Sequence, residues 1–337
     1  MARDYLQALE AEIGAHCWRW RPETVYLGGG TPSRMPAENL RRVLAAIPGA
    51  PWREATIEAA PGSFTPELAA RWRDAGLTRV SLGVQSFIDA ELSRTGRRHD
   101  ASVVASDLRA LGEAGFGSVN IDLIAGLPHQ TPASWRDSLD WVERLGVPHV
   151  SVYMLEIDED SRLGAEILGG GSRYGARAIP DEEIVVEMYE TAVDRLAALG
   201  LARYEISNFA SPGRESLHNL KYWRREPYAG FGADAHSFDG SLRRRNVETA
   251  AAYIDCWRRG RSPGCEESAA GAEEEQFFLG LRLTAGIRPG AAARRRFDRP
   301  IRRFLAEGLL EQDGEVLRLT RRGVLLSNEV FQEFVGS

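Results

Sequence analysis

Strand-like and helix-like stretches alternate along the first two-thirds of the chain, and this alternation limits the possible folds more than any single motif does. Short apolar runs at 25–27, 55–59, 79–84, 118–124 and 149–155 are separated by stretches of helical spacing at 36–47, 65–75, 101–114 and 132–145. The period is about thirty residues, as in βαβ units, where a parallel neighbour is reached only through a long crossover. A helix at 180–199 and a strand-like run at 202–206 continue the series. The chain opens on a helix, however, because Tyr5, Leu6, Leu9 and Ile13 recur at helical spacing over 2–15. The expected class is α/β with a parallel sheet.

The first strand runs into Gly28-Gly29-Gly30-Thr31-Pro32-Ser33. Three consecutive glycines contribute no packing, so they suit a backbone that takes unusual dihedrals or lies against a ligand. A P-loop is excluded, since no lysine follows the glycines. A dinucleotide fingerprint fits poorly, with Ser33 in the place of the third glycine and Pro32 altering the turn. A ligand here is not expected to be held through a pyrophosphate.

The formal net charge of -6 argues against general nucleic-acid binding, and the triplets Arg243-Arg244-Arg245 and Arg294-Arg295-Arg296 read as solvated faces. No apolar run approaches the roughly twenty residues of a membrane span, and the N-terminus has no signal-peptide pattern. The expected location is cytoplasmic. Cys17, Cys256 and Cys265 are too scattered for a disulfide framework or a metal cluster, so no metal ligands are expected in this chain.

Beyond the alternating region, 164–175 reads as a glycine-rich excursion, 217–237 as a loop rich in aromatic residues and glycine, and 263–272 as a linker. The expected domains are therefore 1–262, a barrel domain with an extension, and 263–337, a small helical or winged-helix-like domain. The second should hold helices at 275–283 and 301–307, a hairpin across Asp313-Gly314 and a last helix from Thr320.

In parallel α/β barrels ligands meet the carboxyl ends of the strands. Glu58 and Gln85 close strands, Asn120 and Asp122 share one face of another by the two-residue period, and Arg97 follows Gln85. A zwitterion bearing hydroxyls would suit this set: Glu58 and backbone for an ammonium, Arg97 for a carboxylate, Asp122 for hydroxyls.

Taken in order, the glycine loop, Glu58-Ala59-Ala60-Pro61-Gly62, Ser81-Leu82-Gly83-Val84-Gln85-Ser86-Phe87 and Asn120-Ile121-Asp122-Leu123-Ile124 with Gly126-Leu127-Pro128 resemble the radical S-adenosylmethionine proteins related to oxygen-independent coproporphyrinogen III oxidase. The run His218-Asn219-Leu220-Lys221-Tyr222-Trp223, with Gly230, Gly232 and Ala235-His236-Ser237, is similar to the heme chaperone branch of that family. The resemblance implies a partial parallel barrel of the (β/α)6 type with its first βα unit incomplete. It places S-adenosylmethionine against Gly28, Gly29, Gly30, Thr31 and Glu58, and in the oxidase branch a second copy near Gln85, Arg97 and Asp122. For the chaperone branch it implies heme binding and delivery to a membrane-associated respiratory hemoprotein. His218 is the first candidate ligand, with Tyr222 and Trp223 beside it and His236 as competitor; a homodimer is left open.

The resemblance also implies a Cys-x3-Cys-x2-Cys segment that binds a [4Fe-4S] cluster ahead of the first helix, and this sequence does not contain it. A start assigned too far downstream is the expected reason, and reductive cleavage of S-adenosylmethionine is expected only of a form that has the segment. Two rivals remain at this point: coproporphyrinogen III oxidase itself, and a cluster-less barrel that serves only as an interaction module.

Overall fold

Strands β1 (Thr24–Leu27), β2 (Glu54–Ala59), β3 (Arg79–Gln85), β4 (Ser118–Ala125) and β5 (His149–Met154) form where the apolar runs fall, in a computed structural model that describes residues 1–156, 162–171 and 173–335. The excursion expected around 164–175 lies partly outside the described residues. With β6 (Ala202–Arg203) and β7 (Asn208–Ala210) these strands make one sheet in the order β1-β2-β3-β4-β5-β7-β6, and β2 to β5 run parallel. The class is α/β, and among the described residues no pairing closes β6 back onto β1, as in a partial barrel. The run at 202–206 is not one further parallel strand. It divides at a turn organised by the buried Glu205, whose Oε1 accepts from the Ser207 N–H and from Asn208 Nδ2 at 2.9 and 2.5 Å. The chain therefore returns as β7, antiparallel to β5.

The two faces of the sheet differ in chemistry. Val80, Leu82, Val84, Ile121, Leu123, Val150 and Val152 are buried on one face, and each such side chain stabilises the fold by about 1.5–3 kcal/mol. The crossover helices Pro66–Asp74, Ala101–Glu113, Pro132–Leu145 and Glu182–Ala198 add fully buried Trp72, Leu111, Trp135 and Leu196. Thr65, Asp100 and Thr131 start three of these helices by accepting an N–H of the first turn. Trp135 Nε1 donates to the Met188 carbonyl at 2.7 Å, which ties two of them together. By the two-residue period the opposite face carries Glu58, Ser81, Gln85, Asn120, Asp122, His149, Ser151 and Tyr153.

The chain divides into two compact units. The sheet just described belongs to the unit made of Val25–Ala37 and Glu54–Glu215; the other unit takes Met1–Thr24, Glu38–Arg53 and the chain from Ser216 onward. In that second unit the helix Ala2–Ala15 packs on the helix Ala250–Arg258, with the Tyr5 and Tyr253 rings 5.2 Å apart. Glu12 accepts from Tyr253 OH, Asn246 Nδ2 and the Gly232 N–H at 2.5, 2.8 and 2.9 Å.

Strands β8 (His236–Phe238), β9 (Leu242–Asn246) and β10 (Gly264–Ala269) form an antiparallel sheet with β9 in the centre. The segment at 263–272 is thus a strand and not a linker, and it is exposed along its length, which is why it shows no apolar alternation. Likewise 217–237 is not all loop, for it contains the helix Leu217–Trp223, capped by Ser216, and the start of β8. The expected hairpin is present as β11 (Leu310–Asp313) and β12 (Val316–Leu319), with Gly314 at φ 57°. Helices Ala272–Gly280, Asp298–Ala306 and Arg321–Leu325 complete the winged-helix-like order around buried Phe277, Phe297, Phe304 and Phe334. Among the described residues no helix is long and apolar enough to cross a membrane.

Candidate functional site

At the end of β1 the glycines are a steric requirement. A methyl group on Gly28 would lie 2.7 Å from Tyr26 Cε1 and 3.0 Å from Glu58 Oε1, and Gly29 and Gly30 take φ of 74° and 59°. Glu58 holds the loop in place: Oε1 accepts from Tyr26 OH at 2.7 Å and Oε2 accepts from the Gly29 N–H at 3.2 Å. Burial, followed by the Glu58 carboxylate, pushes the Tyr26 phenol well above its ordinary range, so it acts as a fixed donor. Gly28, Gly29, Gly30 and Thr31 are exposed, leaving a bare backbone surface beside a carboxylate.

On β3, Gln85 sits at φ 70°, a left-handed conformation that costs a residue with a side chain roughly 1–2 kcal/mol. It lies beside Arg97 at Gly83, where an added methyl would be 3.3 Å from Gln85 Nε2 and 3.9 Å from Arg97 Nη1. Backbone strain of this kind collects where a side chain must be aimed at a ligand.

Asp122 on β4 accepts from Ser81 Oγ at 3.2 Å and Asn120 Nδ2 at 2.7 Å. Burial raises its pKa despite the donors Ser151, Asn120 and Ser81, and the charge of Glu58 raises it further. Behind it the polar face continues inward: Asn120 Oδ1 meets His149 Nδ1 at 2.6 Å, and His149 Nε2 meets Tyr204 OH at 2.9 Å. Burial keeps His149 neutral, well below its ordinary pKa.

The structure thus places the predicted residues along one face of the sheet: Gly28–Thr31 with Glu58 at β1 and β2, Gln85 with Arg97 at the end of β3, and Asp122 on β4. Tyr26, Ser81 and Tyr153 also belong to this face. Tyr153 is 43 % exposed, and burial of its hydroxyl end followed by the charge of Asp122 raises its pKa. Aromatic residues in apolar runs read as core, so sequence reasoning missed these two tyrosines; their position on the polar side of the alternation was the available signal.

His218, Tyr222, Trp223 and His236 lie in the other unit. His218 is half-buried on the helix Leu217–Trp223, with Nδ1 2.9 Å from Thr24 Oγ1 and Nε2 2.9 Å from Tyr222 OH. Burial, then the Lys221 charge, pulls its pKa down to about 4, so the ring is neutral at neutral pH. A neutral imidazole is the form that ligates iron, but here both nitrogens have hydrogen-bond partners. His236 is exposed at the start of β8.

Residues 4–142 match the Radical SAM superfamily and residues 272–326 match the HemN C-terminal domain. The chain is 34% identical over 351 residues to the heme chaperone HemW of Bacillus subtilis, covering 99% of this chain and 91% of that protein. It is 37% identical over 323 residues to the heme chaperone HemW of Mycobacterium tuberculosis, covering 93% and 80%. Among solved structures it superposes on coproporphyrinogen III oxidase (HemN) from Escherichia coli with a TM-score of 0.83 at 20% identity, over 99% of this chain and 83% of that one, a likeness of fold. Fold and sequence together define a radical S-adenosylmethionine protein. Within that superfamily the chain belongs to the heme chaperone HemW family.

Membership of the superfamily implies S-adenosylmethionine and a [4Fe-4S] cluster. The glycine cradle, Glu58 and Asp122 fit the first, since bare N–H groups and carboxylates suit its amino and ribose groups. The residues do not fit the second: among the described residues no group of three or more His, Cys, Asp or Glu could hold a metal ion, and Cys17, Cys256 and Cys265 are free and apart.

Proposed function

We propose that this chain binds heme and hands it to a respiratory hemoprotein at the membrane, working from the cytoplasm, while the polar face of its sheet binds S-adenosylmethionine. The observation that carries the reading is the end-to-end similarity to heme chaperones, 99% of the chain at 34% identity, which spans both compact units. S-adenosylmethionine would be held by Gly28, Gly29, Gly30, Thr31 and Glu58, with Gln85, Arg97 and Asp122 facing the same space. Heme iron would be taken by His218, with the Tyr222 and Trp223 side chains beside it on the same helix and His236 as the exposed alternative. The boundary at residue 263 is kept as the start of the C-terminal domain, supported by the match at 272–326.

A hemin titration followed by Soret absorbance tests this, run on the wild type and on His218→Ala and His236→Ala. One saturable site with a shifted Soret band that His218→Ala abolishes is the expected result. A chain that gives no saturable spectrum refutes the heme reading, and a loss confined to His236→Ala reassigns the ligand.

A further inference from the structure

Gln85 is held in its strained conformation from both sides. The Ser86 N–H donates to the Val84 carbonyl at 2.9 Å, and with Gln85 at φ 70° between them this is a γ-turn of the rare, strained hand. The pairing of β3 with β4 slips at the same place: Leu82 faces Ile121 but Gln85 faces Leu123, so β3 carries one residue more than its neighbour. An extra residue in a strand re-aims the side chain beside it, and such bulges collect next to active sites.

Two buried side chains fix this turn. His99, 8 % exposed, places Nε2 3.0 Å from the Val84 carbonyl oxygen; a carbonyl only accepts, so this nitrogen carries the proton. On the other side Ser86 Oγ donates to Glu91 at 2.6 Å and accepts from the Ile88 N–H at 2.9 Å. Glu91 is fixed in turn by Ser134 Oγ at 2.6 Å and Gln130 Nε2 at 3.2 Å. A return of Gln85 to ordinary dihedrals would swing either the Val84 carbonyl or Ser86 away from its partner. Ser86 already satisfies the Val84 carbonyl, so the bond from His99 adds a fixed position and not a missing partner. His99 stands two residues after Arg97, and the carbonyl that it grips directly precedes Gln85, so one bond ties the segment of Arg97 to the turn at Gln85. On the reading that the polar face binds S-adenosylmethionine, we propose that His99 is a positioning residue for that ligand: its hydrogen bond to Val84 holds the turn that aims the Gln85 amide. The imidazole touches no ligand itself and acts through Gln85.

The test is isothermal titration of S-adenosylmethionine into the wild type, His99→Leu and His99→Gln, with His99→Leu repeated in a Gln85→Gly background. Leucine removes the donor, and the glutamine amide reaches as far as the imidazole Nε2 and keeps it. His99→Leu should weaken binding about fivefold, the order of one hydrogen bond, and His99→Gln should restore it to within about twofold. In the Gln85→Gly background, where no amide remains to be aimed, His99→Leu should cost nothing further; a merely structural histidine would cost the same in both backgrounds. Should His99→Leu fail to fold, His99→Asn, whose amide falls one bond short of the Val84 carbonyl, takes its place with the same expectation. Equal losses in the two backgrounds, a loss that glutamine does not restore, or a leucine variant that binds like the wild type would each overturn the role of His99 and leave S-adenosylmethionine binding standing. A wild type that binds no S-adenosylmethionine overturns that reading first, and the positioning role with it.

Discussion

Gln85 keeps φ at 70° although glycine would hold that conformation without strain. The side chain lies beside Arg97 at Gly83, where the proposed ligand contact would offset the strain. Gln85→Gly should stabilise the fold by about 1 kcal/mol through relief of the left-handed backbone, and at the same time weaken S-adenosylmethionine binding. Urea unfolding and isothermal titration check the two halves separately; a variant that loses stability with unchanged affinity contradicts the argument. His218 allows a second test at this scale. Tyr222 OH occupies Nε2 at 2.9 Å, and that bond must break before the nitrogen can reach iron. Tyr222→Phe should tighten heme binding several-fold, because the hydrogen bond it deletes contributes about 1 kcal/mol to the unliganded state. Weaker binding by this variant would mean that the phenol, not the imidazole, is the group that matters to heme.

At the level of elements, the helix Ala272–Gly280 carries one buried carboxylate that adds to the packing of Phe277 in tying it to its unit. Glu275, with its side chain 5% exposed, accepts from Arg225 Nε at 2.8 Å and from Arg243 Nε and Nη2 at 2.6 and 2.9 Å. Burial alone would raise its pKa, but the bonds from Arg243 and Arg225 outweigh burial and hold it below the ordinary carboxylate range. Glu275→Ala would leave two guanidinium groups facing each other without an anion. A loss of about 3 kcal/mol is expected, measured by urea unfolding of the wild type and variant. How far such elements could be read from the sequence depended on whether their packing left an apolar pattern. Strands β1 to β5 were legible because one face is buried and the pattern has period two. β10 was not legible, since Gly264-Cys265-Glu266-Glu267-Ser268-Ala269 is exposed and has no apolar alternation, and it is held to β9 by backbone pairing with Glu267 on Arg244. The helix Leu217–Trp223 was hidden for a related reason: it has no fully buried residue and a single capping serine marks its start. On the polar face, Glu58, Gln85 and Asp122 were legible because charged or amide groups at strand ends stand out, whereas Tyr26 and Tyr153 passed for core.

For the whole molecule, the same titration chemistry acts in both compact units, through His99 as well as His149 in one and His16 as well as His218 in the other. His149 lies in the unit that holds the sheet and His218 in the other, and burial lowers the pKa of both from the ordinary value of 6.5. A histidine with a depressed folded pKa binds fewer protons folded than unfolded between the two values. Stability is then highest above the unfolded pKa and falls as the pH drops below it. For His218 the window runs from 6.5 down to about 4, and within it the loss is about 1.4 kcal/mol per pH unit. Since His149 and His218 belong to different units, acid should loosen the surroundings of each through its own ring. Hydrogen exchange at pH 5.5 and 7.5, corrected for intrinsic rates, should show faster opening at the lower pH in peptides of β4 and β5 and in those of the helix Leu217–Trp223. His149→Gln should remove the pH dependence from the first set only, and His218→Gln from the second only. If either substitution flattened both sets together, the two units would open as one cooperative body and the assignment of acid sensitivity to separate units would fall.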